Sequence, residues 1–139
     1  MNTTDVLVDA LRAADLGDGV RVGDGEPRDD EGPLTGRYCV VRPRTEQPGP
    51  GTAADPNADR TPEVQITAVG PSRRAADQVA ELARTVALGV APPTGWAWLC
   101  VPEFVTGTGT APEATTDPTT PEAPSFFRVD VYRYYLTPA

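Results

Sequence analysis

The chain has 139 residues, a formal net charge of -8, 39% hydrophobic and 6% aromatic residues, 16 prolines and 13 glycines, which fits one domain spanning 1-139 with much of its length in turns and loops. All its basic residues are arginine, and the acidic surplus disfavours nonspecific nucleic-acid binding, which needs a concentrated positive face. No histidine occurs, so the usual general base near neutral pH and the commonest metal ligand are missing, which removes most hydrolase triads and zinc sites.

Thr3 or Thr4 is placed to cap a first helix, with Asp5 near its positive end and Val6, Leu7, Ala10, Leu11 and Ala14 forming an apolar stripe. Gly17 is the expected stop. A short extended stretch over 20–22 leads into glycine, proline and acid that read as a loop. Asp18, Asp24, Asp29, Asp30 and Glu31 are oxygen donors close in sequence, but the spacing of a calcium loop and its closing glutamate do not appear. Residues 37–42, RYCVVR, alternate as a strand with Tyr38 and Val40 on one face and Cys39 and Val41 on the other, and Pro43 is expected to end it. Residues 43–60 carry no large apolar side chain and read as a mobile arm between two strands.

The stretch 61–88, TPEVQITAVGPSRRAADQVAELARTVAL, is a strand, a tight turn and a long helix. Val64, Ile66 and Ala68 share one strand face at period two, and Gly70-Pro71 ends the ladder. Ser72 is well placed as the N-cap, and Ala75, Ala76, Val79, Ala80, Leu82, Ala83, Val86 and Ala87 make a broad face of mostly small apolar residues. Arg73, Arg74, Asp77, Gln78, Glu81 and Arg84 occupy the other side, which is either solvated, with Glu81 and Arg84 as an i,i+3 pair, or a contact between subunits.

Residues 96–104, WAWLCVPEF, read as a strand interrupted near Pro102, with Trp96, Trp98 and Cys100 on one face. Two tryptophans there are either core or a protein interface. Cys39 and Cys100 lie far apart in apolar stretches and read as buried reduced thiols, with a disulfide as the alternative. Residues 106–125 are low in complexity and read as an extended hairpin tip. The last strand, 126–136, is expected to face Phe127, Val129 and Val131 to the core and to leave Arg128, Asp130, Tyr132 and Tyr134 on a half-exposed or partner-binding face.

Ser72 lies at a strand-to-helix turn, yet its surroundings are GPSRR and no histidine exists to activate it, so it reads as a cap rather than a nucleophile. Gly17, Gly19, Gly23 and Gly25 form no phosphate loop. No catalytic residue, cofactor or metal is expected. No window approaches a membrane span and no secretory signal is evident, so the expectation is a cytosolic protein without a membrane partner.

The order helix, strand, long loop, strand, Gly-Pro turn, helix, strand, loop, strand resembles the tail terminator proteins of tailed bacteriophages. The match lies in VQITAVGPSRRAADQVAELARTVAL, the closing FFRVDVYRYYLTPA and the starting helix DVLVDALRAA. The resemblance implies an α+β subunit with a small antiparallel sheet of about four strands against two helices, carrying long arms at 43–60 and 106–125. It further implies a non-enzymatic virion protein, assembled in the host cytoplasm as a hexameric homo-oligomeric ring. That ring caps the tail tube protein, meets a head-tail connector or stopper protein, and lets DNA pass through its lumen without specific binding. A connector or stopper of the same neck is the nearest alternative, and a non-viral adaptor binding a protein on its exposed strand is a further one. Arg73, Arg74, Asp77, Arg84, Trp96, Trp98, Arg128, Tyr132 and Tyr134 are the candidate contacts to a subunit or partner.

Overall fold

Two helices cover one face of a mixed, eight-stranded sheet in the computed structural model, which describes residues 2–17, 19–48, 59–112 and 125–139. The elements are α1 (Thr3–Ala13), β1 (Arg21–Asp24), β2 (Arg28–Asp29), β3 (Gly32–Pro33), β4 (Tyr38–Pro48), β5 (Arg60–Gly70), α2 (Arg73–Gly89), β6 (Trp96–Trp98), β7 (Glu103–Gly107), β8 (Ala111–Pro112), β9 (Phe126–Arg133) and β10 (Leu136–Pro138). The α+β class holds. The sheet, however, has more than the expected four strands and is not purely antiparallel, because β1 runs parallel to β4. β2 and β3 form a separate two-stranded ribbon.

The α1 cap is Asn2 rather than Thr3 or Thr4. Its Oδ1 accepts the Asp5 N–H at 2.9 Å while the Asp5 carboxylate accepts the Asn2 N–H at 3.2 Å, a reciprocal box that satisfies two donors at the helix start. Thr3 and Thr4 are buried in the first turn, and the helix stops at Ala13, before Gly17. Leu7, Val8 and Leu11 then pack with Val79, Ala80 and Ala83 of α2 and with Cys39, Val41, Val64 and Ile66 of the sheet in one core. The face expected for β5 is therefore the one the helices cover.

β4 does not end at Pro43 but continues to Pro48, pairing with β5 and slipping register between Pro43 and Glu46. β1 pairs only as far as Val41, so Pro43 lies in an edge strand, the sheet location that tolerates a missing donor. Part of each expected arm is thus strand, and residues 49–58 and 113–124 of the arms lie outside the described residues.

β9 and β10 follow β5 in one unbroken register, with Arg133 opposite Glu63 and Leu136 opposite Arg60. The expected strand over 126–136 is divided at Tyr134, whose N–H donates to the carbonyl of Pro62 at 3.0 Å. Pro62 has no N–H to return. Against this run lie β6, β7 and β8 in succession. Trp98 opposes Leu136 and Glu103 opposes Arg133, so five steps along the outer strand answer three along the inner one. The surplus is extruded as a bulge, with Leu99 52% and Val101 77% exposed. The expected single strand over 96–104 is split by this bulge, and Cys100 is exposed while Cys39 is buried. Both thiols are free, and only Cys39 matches the expectation of burial.

Candidate interaction site

Gly70 brings α2 hard against β5, since a Cβ there would lie 2.6 Å from the Ala76 nitrogen. Ser72 then caps the helix, its Oγ accepting the Ala75 N–H at 3.1 Å. This start fixes which residues of α2 overhang β9. Asp77, Glu81 and Arg84 recur at helical spacing and meet Arg128 and Asp130 from the strand. Arg128 Nη1 is 3.0 Å from Glu81 and 3.7 Å from Asp77, and its Nε donates to Asp130 Oδ1 at 3.2 Å. Arg84 Nη2 lies 4.0 Å from Asp130 Oδ2, and its guanidinium stands 4.1 Å over the Phe104 ring, a cation–π geometry. The Glu81–Arg84 pair within the helix is not the one formed. Both residues reach across to β9, where Asp130, with a side chain 3% exposed, shares its charge between two arginines.

Burial opposes the Arg128 charge, but the hydrogen bond and charge of Asp130, with those of Glu81, outweigh it and hold the guanidinium above its ordinary range. Gly107 makes room for this carboxylate, because a Cβ there would lie 2.4 Å from Asp130 Oδ1. A polar cleft of about 310 Å³ opens beside it, lined by Arg73, Asp77, Phe104, the 107–110 turn, Arg128 and Asp130. Thr110 donates to Asp77 on its rim. Among the described residues, neither Arg73 nor Arg74 pairs with a carboxylate, and both are exposed.

Three of the aromatic candidates belong to the fold. Tyr134 is fully buried and its hydroxyl donates to the Ala87 carbonyl at 2.8 Å. Trp98 Nε1 donates to the Val90 carbonyl at 3.0 Å and its ring stacks on Tyr134 at 5.3 Å. The last carbonyls of a helix lack partners within it, and α2 has no basic residue in its last turn, so these two aromatics close its C-terminal end. Tyr132 is also fully buried and packs edge-on to Phe104 at 5.8 Å. Burial and the Asp130 charge push its phenol up to about 12, against an opposing pull from Arg84 and Arg128. Tyr132 and Tyr134 are therefore core in this chain, Trp98 packs half-buried against that core, and Trp96 is likewise half-buried at the start of β6.

The expectation for β9 is inverted. Arg128, Asp130 and Tyr132 lie beneath α2, and Phe127, Val129 and Val131 face away from it. Tyr38, Val40, Arg42, Gln65, Thr67 and Val69 continue that face across β4 and β5. A groove of about 540 Å³ runs over it, with Tyr38, Phe127 and Val129 half-buried along its wall. The signal that sequence polarity missed lay in α2: Asp77, Glu81 and Arg84 are spaced to complement a charged strand.

Of the loop acids, Asp18 lies outside the described residues, and Asp29 and Glu31 have structural partners. Asp29 is held by Arg21, whose Nε donates to it at 2.7 Å, and Glu31 is 3.9 Å from the same arginine. Among the described residues, no three His, Cys, Asp or Glu side chains gather as a metal site. Among the described residues, no helix is long and apolar enough to cross a membrane.

No protein-family model and no curated protein matches the sequence. Among solved structures, the chain is similar to one from the virion of a native gene transfer agent (GTA) particle. The TM-score is 0.67 at 16% sequence identity, over 98% of this chain and 95% of that one. At that identity the likeness is one of fold, over nearly the full length of both chains.

Proposed function

We propose that the chain is a structural virion protein of a phage-like particle, acting as a single domain at the end of the tail. The observation that carries this reading is the full-length fold likeness to a chain of a virion particle. The resemblance of the α1, β5–α2 and β9 segments to tail terminators narrows it to a ring, hexameric in that family, which caps the finished tail tube and joins tail to head. Its partners are then further copies of itself, the tail tube protein and a connector or stopper in the neck. The role needs binding surfaces and no catalysis.

Arg73, Arg74 and Trp96 are the proposed partner contacts, with Asp77 and Arg128 lining the cleft behind Arg73 and Arg84 braced against its Phe104 and Asp130. Head-to-tail association uses two different patches on each copy and closes a ring when the rotation fits. The net charge of -8 suits a lumen through which DNA passes without being held.

Solution mass, negative-stain imaging and addition to purified tail tubes test the proposal together. Rings seated on tube ends support a terminator. Rings that bind only the head-side connector support a stopper instead, and a monomer that ignores both structures removes the virion reading.

A further inference from the structure

We infer that copies of this chain join by inserting the apolar bulge between β6 and β7 into the groove on the helix-free sheet face of the next copy. This names a contact for the proposed ring and rests on that reading for its setting. The bulge presents Leu99 and Val101, two of the three large hydrophobic side chains exposed among the described residues, and Val101 is 77% exposed. The chain spends an extruded loop on apolar groups that cover nothing of its own. Exposed apolar groups of this kind mark interaction sites.

The complementary surface is the groove of about 540 Å³ whose floor holds the buried Val40 and Val69 and whose accessible apolar wall is the half-buried Tyr38, Phe127 and Val129, beside Arg42, Gln65 and Thr67. The bulge cannot fill it within one copy. It leaves the sheet where Leu99 donates its N–H to the Tyr135 carbonyl, beside the Arg60 end of β5, whereas the groove centres on Thr67 and Val69. At about 3.3 Å per residue the two lie roughly 25 Å apart along the strand. Two unlike patches at opposite ends of one molecule are what a head-to-tail contact requires.

Charge agrees with this docking. Arg42 lines the groove and donates to the Gly25 carbonyl at 3.0 Å, with no described carboxylate in ion-pair range. Glu103 stands at the root of the bulge with its side chain 49% exposed, 4.0 Å from Arg133. Docking the bulge brings this acid toward the arginine of the neighbour. The occupant is therefore a second copy rather than an unrelated apolar peptide.

Cys100 lies between Leu99 and Val101 and is exposed, while Cys39 is buried, so the native bulge carries its own cross-linking probe. Oxidation of the full-length Val129→Cys protein is expected to give a ladder of disulfide-linked oligomers, and the Asp9→Cys control on the exposed side of α1 is expected to give no such ladder. The double variant Leu99→Asp/Val101→Asp should keep the wild-type circular dichroism spectrum and lose the oligomers. The inference is overturned by a wild-type protein that is monomeric at every concentration. It is equally overturned by oligomers that persist in the double variant, or by a ladder no stronger from Val129→Cys than from Asp9→Cys. Cross-linked oligomers that ignore tail tubes would remove the terminator reading and leave this contact standing, while tube capping that survives the double variant would do the reverse.

Discussion

Beneath α2, strand β9 presents Arg128, Asp130 and Tyr132, while its opposite face carries Phe127, Val129 and Val131. The charged face is the one α2 covers, while Phe127 and Val129 of the apolar face border a groove and Val131 is buried beside it. The difference teaches that polarity along a strand assigns a core only when the covering element is apolar too. Here α2 has two working stripes. Ala76, Val79, Ala80 and Ala83 pack on the central sheet, and Asp77, Glu81 and Arg84 meet the charges of β9.

Breaking the covered face should cost most. Asp130→Ala leaves Arg84 and Arg128 without their shared carboxylate, and loss of one partner from a buried ion pair is expected to cost about 3 kcal/mol. Val129→Ser on the open face should cost clearly less, and equal shifts in urea midpoint for the two would erase the distinction. Gly107→Ala tests the same carboxylate from its other side. The new Cβ must displace Asp130 or the turn, at about 2 kcal/mol by thermal or urea unfolding.

The two buried tyrosines sharpen the comparison further. Tyr134→Phe removes a hydroxyl that satisfies the Ala87 carbonyl and should lower stability by about 1 kcal/mol. Tyr132→Phe should be close to neutral, because its buried hydroxyl has no hydrogen-bond partner among the described residues. A reversed order in chemical denaturation would contradict the assignment of Tyr134 as the group that closes the helix end.

The covered face should also respond to alkali. Burial raises the Cys39 thiol from 9.0 to about 12 and the Tyr132 phenol from 10.0 to about 12. A raised folded-state value means that the folded chain holds the proton more tightly. The associated stability is complete below the unfolded values and is lost as pH climbs through the folded ones. Urea midpoints should therefore fall between about pH 9 and 12, and the double variant Cys39→Ala/Tyr132→Phe should reduce that decline, leaving the part due to Tyr134, whose phenol burial also raises. The smallest effect on folding belongs to the exposed end of α2. Arg73→Glu/Arg74→Glu should leave stability within about 0.5 kcal/mol and weaken assembly measured by sedimentation.

Much of the architecture was legible where one local signal dominated. Val64, Ile66 and Ala68 alternate cleanly, and Ser72 follows the Gly70-Pro71 turn, so β5, its buried face and the cap of α2 could be read directly. The rest depended on partners distant in sequence. Nothing near Pro43 reveals that β1 stops short and leaves an edge where proline is harmless. Nothing in WAWLCVPEF says that its two halves pair with different stretches of one strand, which decides that Leu99 and Val101 bulge outward while Trp98 turns in. Arg73 and Arg74 could be placed on an outer face from helical spacing, but the burial of Tyr132 and Tyr134 required knowing that α2 crosses β9.

Electron cryomicroscopy of assembled particles carrying this chain is the most direct measurement of its role. The account predicts density for a closed ring of this fold at the head-proximal end of the tail tube, with Arg73 and Arg74 at a contact. The same fold found in the capsid shell, or particles complete without the chain, would contradict it.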